Sequence, residues 1–244
     1  MADSKPLATP GAKMQYLIKR RGETSREELI AHWYANHMVP VIARNERARS
    51  NGDNHAKRYF VTLFDPAGSE PLAWDGVAQL WYDAPLPWPA QASGIDPQDS
   101  FHQKVEPYWP WATEEWVIIN GALPVEPLTL NAPFPCTRSG FVKQTSLVVA
   151  KPDADIDAMF THWLDVHVPN VVETMTAVGG FRYVVSLSTD LEHAPYAGMA
   201  ELYFPSVDAQ AAFWDRLQPD GFQQWADAER TLRFRSGTEM IGID

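Results

Sequence analysis

Two short stretches carry most of the chemistry that this chain can offer. HWYANHMVP holds His32, Trp33 and His37, and HWLDVHVPN holds His162, Trp163 and His167 at the same spacing, each with a Pro close behind. Histidine is the side chain whose charge changes nearest neutral pH, so a pair repeated in this way is a candidate for proton transfer or metal ligation. Spacing decides between the two. On an α-helix Leu29, Trp33 and His37 share a face, as do Met159, Trp163 and His167, while His32 and His162 lie about 140° away round the axis. A helical metal pair needs two His at i and i+4, so these are not chelating pairs, and no metal is expected. His37 and His167 are therefore the candidate acid-base groups, on the apolar face beside Trp33, with His32 and His162 on the helix flank.

The elements that must position them are also repeated. Upstream, KMQYLIK (13–19) and KQTSLVVAK (143–151) alternate as half-buried strands, each followed by a helix start. Ser25 with Glu28 forms a capping box, and Asp153 is the expected cap in the second copy. Downstream, AKRYFVTLF (56–64) matches GFRYVVSLS (180–188), placing Arg58 beside Tyr59 and Arg182 beside Tyr183. Third strands follow in WDGVAQLWYD (74–83) and YAGMAELYFP (196–205), where Gly76 matches Gly198. A variable segment comes next, Pro- and Trp-rich in the first half and helical in the second. EEWVIIN (114–120) and TEMIGID (238–244) close the halves, with Glu115 opposite Glu239.

Each half thus reads β-α-β-β-α-β, a ferredoxin-like module, which predicts an α+β fold. The expected organisation is a flexible tail at 1–12, a first module at 13–120, a linker at 121–140 rich in Pro and Gly, and a second module at 141–244. Such a module leaves one sheet face without helices, and two copies in one chain can bury those faces as an intramolecular barrel, a monomeric pseudo-dimer. The chain resembles a tandem member of the EthD family within the dimeric α+β barrel superfamily. SREELIAHWYANHMVPVI (25–42), DGVAQLWYD (75–83), EEWVI (114–118) and AMFTHWLDVHVPNVV (158–172) carry the likeness. The resemblance implies that the matching His faces the cavity between helix and sheet. It implies no single reaction, since the superfamily holds lyases, isomerases, cyclases, cofactor-free oxygenases and haem enzymes.

Composition narrows the function further. The chain of 244 residues has a formal charge of -11 and no basic run longer than KRR at 19–21, which argues against nucleic acid and anionic membrane as partners. One cysteine allows no internal disulfide, and no apolar stretch is long enough to span a bilayer, so a cytoplasmic protein is expected. Ten Trp suit flat apolar cavity walls. Trp33, Trp74, Trp81, Trp109 and Tyr59 are candidate substrate-binding residues in the first half, with Trp88 and Trp111 as further walls, and Tyr183 in the second. Arg58 and Arg182 are candidate anchors for a carboxylate or phenolate, with a strand-end salt bridge as the structural alternative. Asp75, whose counterpart is Ala197, is a candidate to orient His37 or to act itself, and the first half is expected to hold the more elaborate pocket. No Gly-rich phosphate loop, Walker-type Lys or zinc spacing is present, so no cofactor is expected. The reading is a cofactor-independent lyase, decarboxylase or isomerase acting on a hydrophobic, aromatic small molecule. The alternatives are a haem-binding or cofactor-free oxygenase on the same fold, or a small-molecule-binding module without catalysis.

Overall fold

The computed structural model describes residues 6–66, 68, 71–123 and 134–244. In chain order the elements are β1 (Ala12–Ile18), α1 (Arg26–His32), a π-helical turn (Trp33–Met38), α2 (Val39–Asn51), β2 (Arg58–Leu63), β3 (Gly76–Tyr82), β4 (Trp111–Asn120) and β5 (Cys136–Val148). Then follow α3 (Ile156–His162), a second π-helical turn (Trp163–His167), α4 (Val168–Ala177), β6 (Arg182–Ser188), β7 (Gly198–Phe204), α5 (Val207–Arg216), a 3-10 turn (Phe222–Gln224) and β8 (Leu232–Ile243). The α+β class and the two ferredoxin-like repeats are as the sequence predicts, except that the first repeat has no second helix.

The chain divides into two compact units. One, built on the first repeat, groups Gly11–Ala112 with Val125–Ser139 and Thr238–Asp244; the other, built on the second repeat, groups Gly140–Gly237 with Thr113–Pro124 and Met1–Pro10. Their boundaries cut across the sequence repeats because the last strands are exchanged. In the first-repeat unit β3 pairs antiparallel with both β1 and β2, and β2 takes the end of β8 through Thr62 opposite Glu239. In the second-repeat unit β7 pairs with β5 and β6, and β6 takes β4 through Trp116 opposite Val185. Ala8 bridges Trp116 and the Thr9 N–H donates to the Glu115 carbonyl at 2.7 Å, so these residues of the expected flexible tail are held to β4. Part of the expected linker, 124–133, lies outside the described residues, and the rest of it from Cys136 belongs to β5.

Local sequence explains each helix start. Ser25 caps α1 with Glu28 reaching back, as predicted. The second cap is Asp155 rather than Asp153: its carboxylate accepts from Ala158 N–H at 3.0 Å, two residues deeper than the spacing after Pro152 suggested. The second crossover differs between halves. α5 is present in the second, whereas 83–110 of the first forms no helix, its Pro residues removing N–H donors that a helix would need.

The repeated motif is itself the reason for the π-helical turns. Pro40 and Pro169 each sit in the first turn of the following α-helix and lack the N–H that would bond back into the preceding turn. The ladder is displaced there, and wide turns of this kind cluster at functional positions. The spacing from His to Pro differs by one residue between the copies, three steps in the first and two in the second, and the first π turn is correspondingly longer by one. Both copies therefore enter α2 and α4 in the same phase.

Helix and sheet meet in one apolar layer per unit. Leu29, Trp33, Met38, Val41 and Ile42 pack on Tyr59, Val61, Leu63, Ala78 and Leu80. Met159, Trp163, Val168, Val171 and Met175 pack on Tyr183, Val185, Leu187, Ala200 and Leu202. The opposite strand face is buried too but polar, carrying Lys13, Gln15, Thr62, Gln79 and Glu239 in one unit and Lys143, Thr145, Ser186 and Glu201 in the other. Gly76 and Gly198 are required in these layers. A methyl group at either would meet a strand carbonyl at 2.6 or 2.7 Å and the benzo edge of Trp33 or Trp163 at 3.2 or 3.0 Å.

Candidate functional site

Each unit has a cavity against the helical His. In the second-repeat unit it encloses about 280 Å³ and is lined by Trp163, His167, Val171, Tyr183, Leu202, Phe213, Asp220, Phe222 and, at its rim, Arg233. The first-repeat cavity is smaller, about 90 Å³, bounded by Tyr16, Trp33, His37, Leu80, Phe101 and Tyr108. The sequence expectation of a more elaborate first pocket is thus reversed in size. Phe101 has a counterpart in Phe222, but the rings of Tyr108, from the Pro-rich segment, and of Tyr16, where the second repeat has Ser146, border only the smaller cavity.

What fixes each His is a carboxylate that the sequence reading did not single out. His37 Nδ1 donates to Asp99 Oδ2 at 2.7 Å, and His167 Nδ1 donates to Asp220 Oδ2 at 2.6 Å. An ionised carboxylate only accepts, so Nδ1 carries the proton in both rings and Nε2 is the basic nitrogen. Each imidazole stacks on a phenyl ring two residues beyond its Asp, His37 on Phe101 with centroids 4.4 Å apart and His167 on Phe222 at 4.7 Å. The partners are themselves anchored. Asp220 also accepts from Asn170 Nδ2 at 2.9 Å and Phe222 N–H at 3.0 Å, while Asp99 accepts from His102 N–H at 3.0 Å. The signal for them was present: DSFHQ at 99–103, inside the segment read as variable, and DGFQQ at 220–224, just after the helical one, repeat Asp-x-Phe-x-Gln.

The charge states follow from these surroundings. Burial holds the His167 pKa below the ordinary 6.5, outweighing the opposing pull of Asp220, so the ring stays neutral and able to accept a proton near pH 7. Burial also pushes Asp220 upward, but the Asn170 amide, the Phe222 N–H and His167 outweigh it and leave the carboxyl below its usual 3.8. Asp99 is lowered in the same manner, burial opposing and the His37 and His102 bonds prevailing.

The remaining predicted residues are placed as follows. Asp75 is buried but does not orient His37; it accepts from Arg20 N–H at 2.8 Å and faces the Arg20 guanidinium at 3.4 Å, a strand-end latch. Arg58 is exposed, and Arg182 donates to Asn120 Oδ1 at 2.8 Å, so the helix-side cavity receives neither. Tyr59 and Tyr183, one residue on, point to the buried side, and Tyr183 lines its cavity. Trp81 lies on the polar strand face, against Phe60 and beneath Lys13 Nζ at 5.0 Å, because it alternates with the cavity-lining Leu80. Trp88 and Trp109 stack on each other at 4.9 Å with 38% and 43% exposure, forming a surface pair. Trp74 is half-buried and Trp111 buried, and neither borders the cavity. Trp33 does border it. Glu115 accepts from Thr9, and Glu239 from Arg138 Nε at 2.7 Å and Thr62; neither bonds a motif His. His32 Nδ1 lies 2.8 Å from Ser100 Oγ, and His162 packs on Trp225 at 4.8 Å.

Among the described residues, one cluster has spacing compatible with a metal ion. Ligand atoms of His37, Asp99 and His102 lie within 4.8 Å of one another. His102 Nδ1 is 3.0 Å from Asp99 Oδ1 and its Nε2 lies 3.1 Å from the Tyr108 hydroxyl. The second repeat has Gln223 in place of His102, so this cluster belongs to the first repeat alone.

Comparison with known proteins supports the fold. The chain is similar in structure to an anthrone oxidase-like protein, at 9% identity with a TM-score of 0.55, over 99% of this chain and 95% of that one. Lower likenesses reach a point mutant of chlorite dismutase from Candidatus Nitrospira defluvii (10%, TM-score 0.48, 93% and 92% covered) and a heme-binding protein from Thermus thermophilus (11%, TM-score 0.41, 96% and 93% covered). No curated protein matches in sequence. The EthD domain model matches residues 151–229, which run from the start of α3's capping turn through His167, Tyr183 and Asp220. The matched stretch lies within the second repeat and contains both members of its His–Asp pair.

Proposed function

We propose that the protein is an enzyme that moves protons on a small, largely apolar and aromatic molecule, with His167 as the acid-base group and Asp220 as the residue that orients it. The observation that carries this is the repeated pair: in both units a cavity-wall imidazole donates from Nδ1 to a carboxylate, leaving Nε2 as the base. A general base must be neutral at working pH and held in one tautomer, and burial with the Asp bond provides both. His37 with Asp99 is the corresponding pair in the smaller cavity. The walls of the larger one are aromatic and aliphatic with few polar groups, the usual make-up of a small-molecule site.

Lyase, decarboxylase and isomerase reactions all need such a base and none needs a nucleotide. An oxygenase without a cofactor would use the same group to make a carbanion that meets oxygen, and the anthrone oxidase-like fold relative lends that reading some support. Screening aromatic ketones, acids and lactones with product analysis and an oxygen electrode tests both. Turnover that disappears in His167→Gln is the expected result. A substrate that is turned over equally by His167→Gln overturns the assignment, and oxygen uptake in step with product selects the oxygenase form.

A further inference from the structure

Beside each cavity stands a buried indole donor that makes no hydrogen bond of full geometry. The indole N–H groups of Trp163 and Trp33, in residues 1% and 0% exposed, are directed at the phenol oxygens of Tyr183 and Tyr59 but reach neither in good hydrogen-bond geometry. A buried donor that is poorly bonded is costly, and the same arrangement at matching positions of both repeats leaves an N–H available to a better acceptor. The geometry of each Trp is enforced. Gly198 lets the benzo edge of Trp163 press on β7, at 3.0 Å from where a Cβ would stand, which turns the opposite, pyrrole side of the ring away from the strand. Tyr183 stands beside it: the Trp163 N–H acts on its phenol oxygen, yet the two make no bond of proper hydrogen-bond geometry. Trp163, Tyr183 and His167 all line the one cavity of about 280 Å³.

We infer that the second-repeat cavity binds the oxygen of a carbonyl compound, with the Trp163 N–H and the Tyr183 O–H as its two donors and His167 on the adjacent carbon. This rests on the acid-base reading of His167 given above and adds the class of substrate to it: an apolar ketone or a related enolisable carbonyl compound. The chemistry balances without a further reagent. The C–H bond next to the carbonyl breaks, its proton passes to His167 Nε2, its electron pair forms the carbon–carbon double bond, and the carbonyl π pair moves onto oxygen. The two donors hold that oxygen as it gains charge, where hydrogen bonds strengthen most. Return of the proton to the same or a conjugated carbon completes exchange or isomerisation. Burial drives the Tyr183 pKa far above the phenol range, which keeps it a donor throughout.

The test uses the whole chain with isotope-labelled tryptophan and two bicyclic probes of nearly equal shape, α-tetralone and its hydrocarbon tetralin. Tetralone is expected to move the Trp163 indole N–H resonance, identified with Trp163→Phe, and to bind roughly tenfold tighter than tetralin. Tyr183→Phe should narrow that preference, which keeps the test open if Trp163→Phe does not fold. An unmoved Trp163 resonance, including the case where neither probe binds, or equal affinity for the two probes, overturns the cradle. Deuterium uptake at the α-carbon of bound tetralone in heavy water reports separately on His167. Preference for tetralone with no uptake above that of His167→Gln keeps the cradle and refutes the acid-base reading; uptake that needs His167 while the Trp163 signal stays still does the reverse.

Discussion

His167 and Asp220 lie 53 residues apart in the chain and share a hydrogen bond of 2.6 Å. The bond fixes both the tautomer and the direction of the imidazole, and the same relationship joins His37 to Asp99 over 62 residues. A pair built twice by one repeat gives the predictions below an internal control.

Asp220→Asn should leave the fold intact, because the amide still fills the space and can accept from Phe222 N–H. It removes the charge that stabilises a protonated His167 and permits the wrong tautomer. Catalysed exchange or turnover should fall by roughly 10²- to 10⁴-fold. Asp99→Asn should cost far less if the larger cavity does the work. Rates for the two variants on one substrate, with circular dichroism as the fold check, settle the matter.

Stability should decline on acidification in two stages. The His167 pKa is lowered on folding, so the unfolded chain binds more protons and stability is lost as pH falls below about 6.5 toward the folded pKa. Asp220 and Asp99 are also lowered, and their contribution is lost as pH falls below about 3.8. Thermal unfolding between pH 8 and 5 should show a fall in Tm that is smaller in His167→Gln. A wild-type Tm that rises toward pH 5 would contradict the assigned shift.

Gly198→Ala places a methyl group 2.7 Å from the Ser186 carbonyl and 3.0 Å from Trp163. Backbone cannot retreat cheaply in the middle of a sheet, so the change should destabilise by about 1–3 kcal/mol. It should also displace the Trp163 ring. Urea unfolding measures the first effect and the Trp163 indole resonance the second.

Lys143 and Glu201 form a buried ion pair on the polar strand face, Nζ to Oε1 at 2.6 Å, with the ammonium also over the Tyr203 ring at 4.9 Å. Glu201→Ala removes a carboxylate from the buried Lys143 ammonium and should cost about 3–5 kcal/mol. Replacing both, as Lys143→Met with Glu201→Leu, should recover most of that loss. Denaturant midpoints for the single and double variants give the comparison.

The sequence by itself determined what depends on local periodicity. The strands of both repeats, the Ser25 cap, the helical face shared by Trp33 and His37 or by Trp163 and His167, and the matching positions of Gly76 and Gly198 all follow from spacings of two and of three to four residues and from the repeat, and such spacings survive in a linear text. Asp99 and Asp220 were spelled twice in Asp-x-Phe-x-Gln, but within or just after segments whose Pro content and helix content differ, so the repeat was hidden by what surrounds it. Tertiary structure alone decided the rest. It brought those carboxylates across 62 and 53 residues to the histidines, turned Asp75 onto Arg20, sent Trp81 to the far strand face and Trp88 with Trp109 to the surface, and exchanged the last strands between the repeats. It also set the two cavity volumes, because whether a ring such as Tyr108 fills the space near a histidine depends on where a loop returns to the sheet, and no local pattern of residues encodes that path.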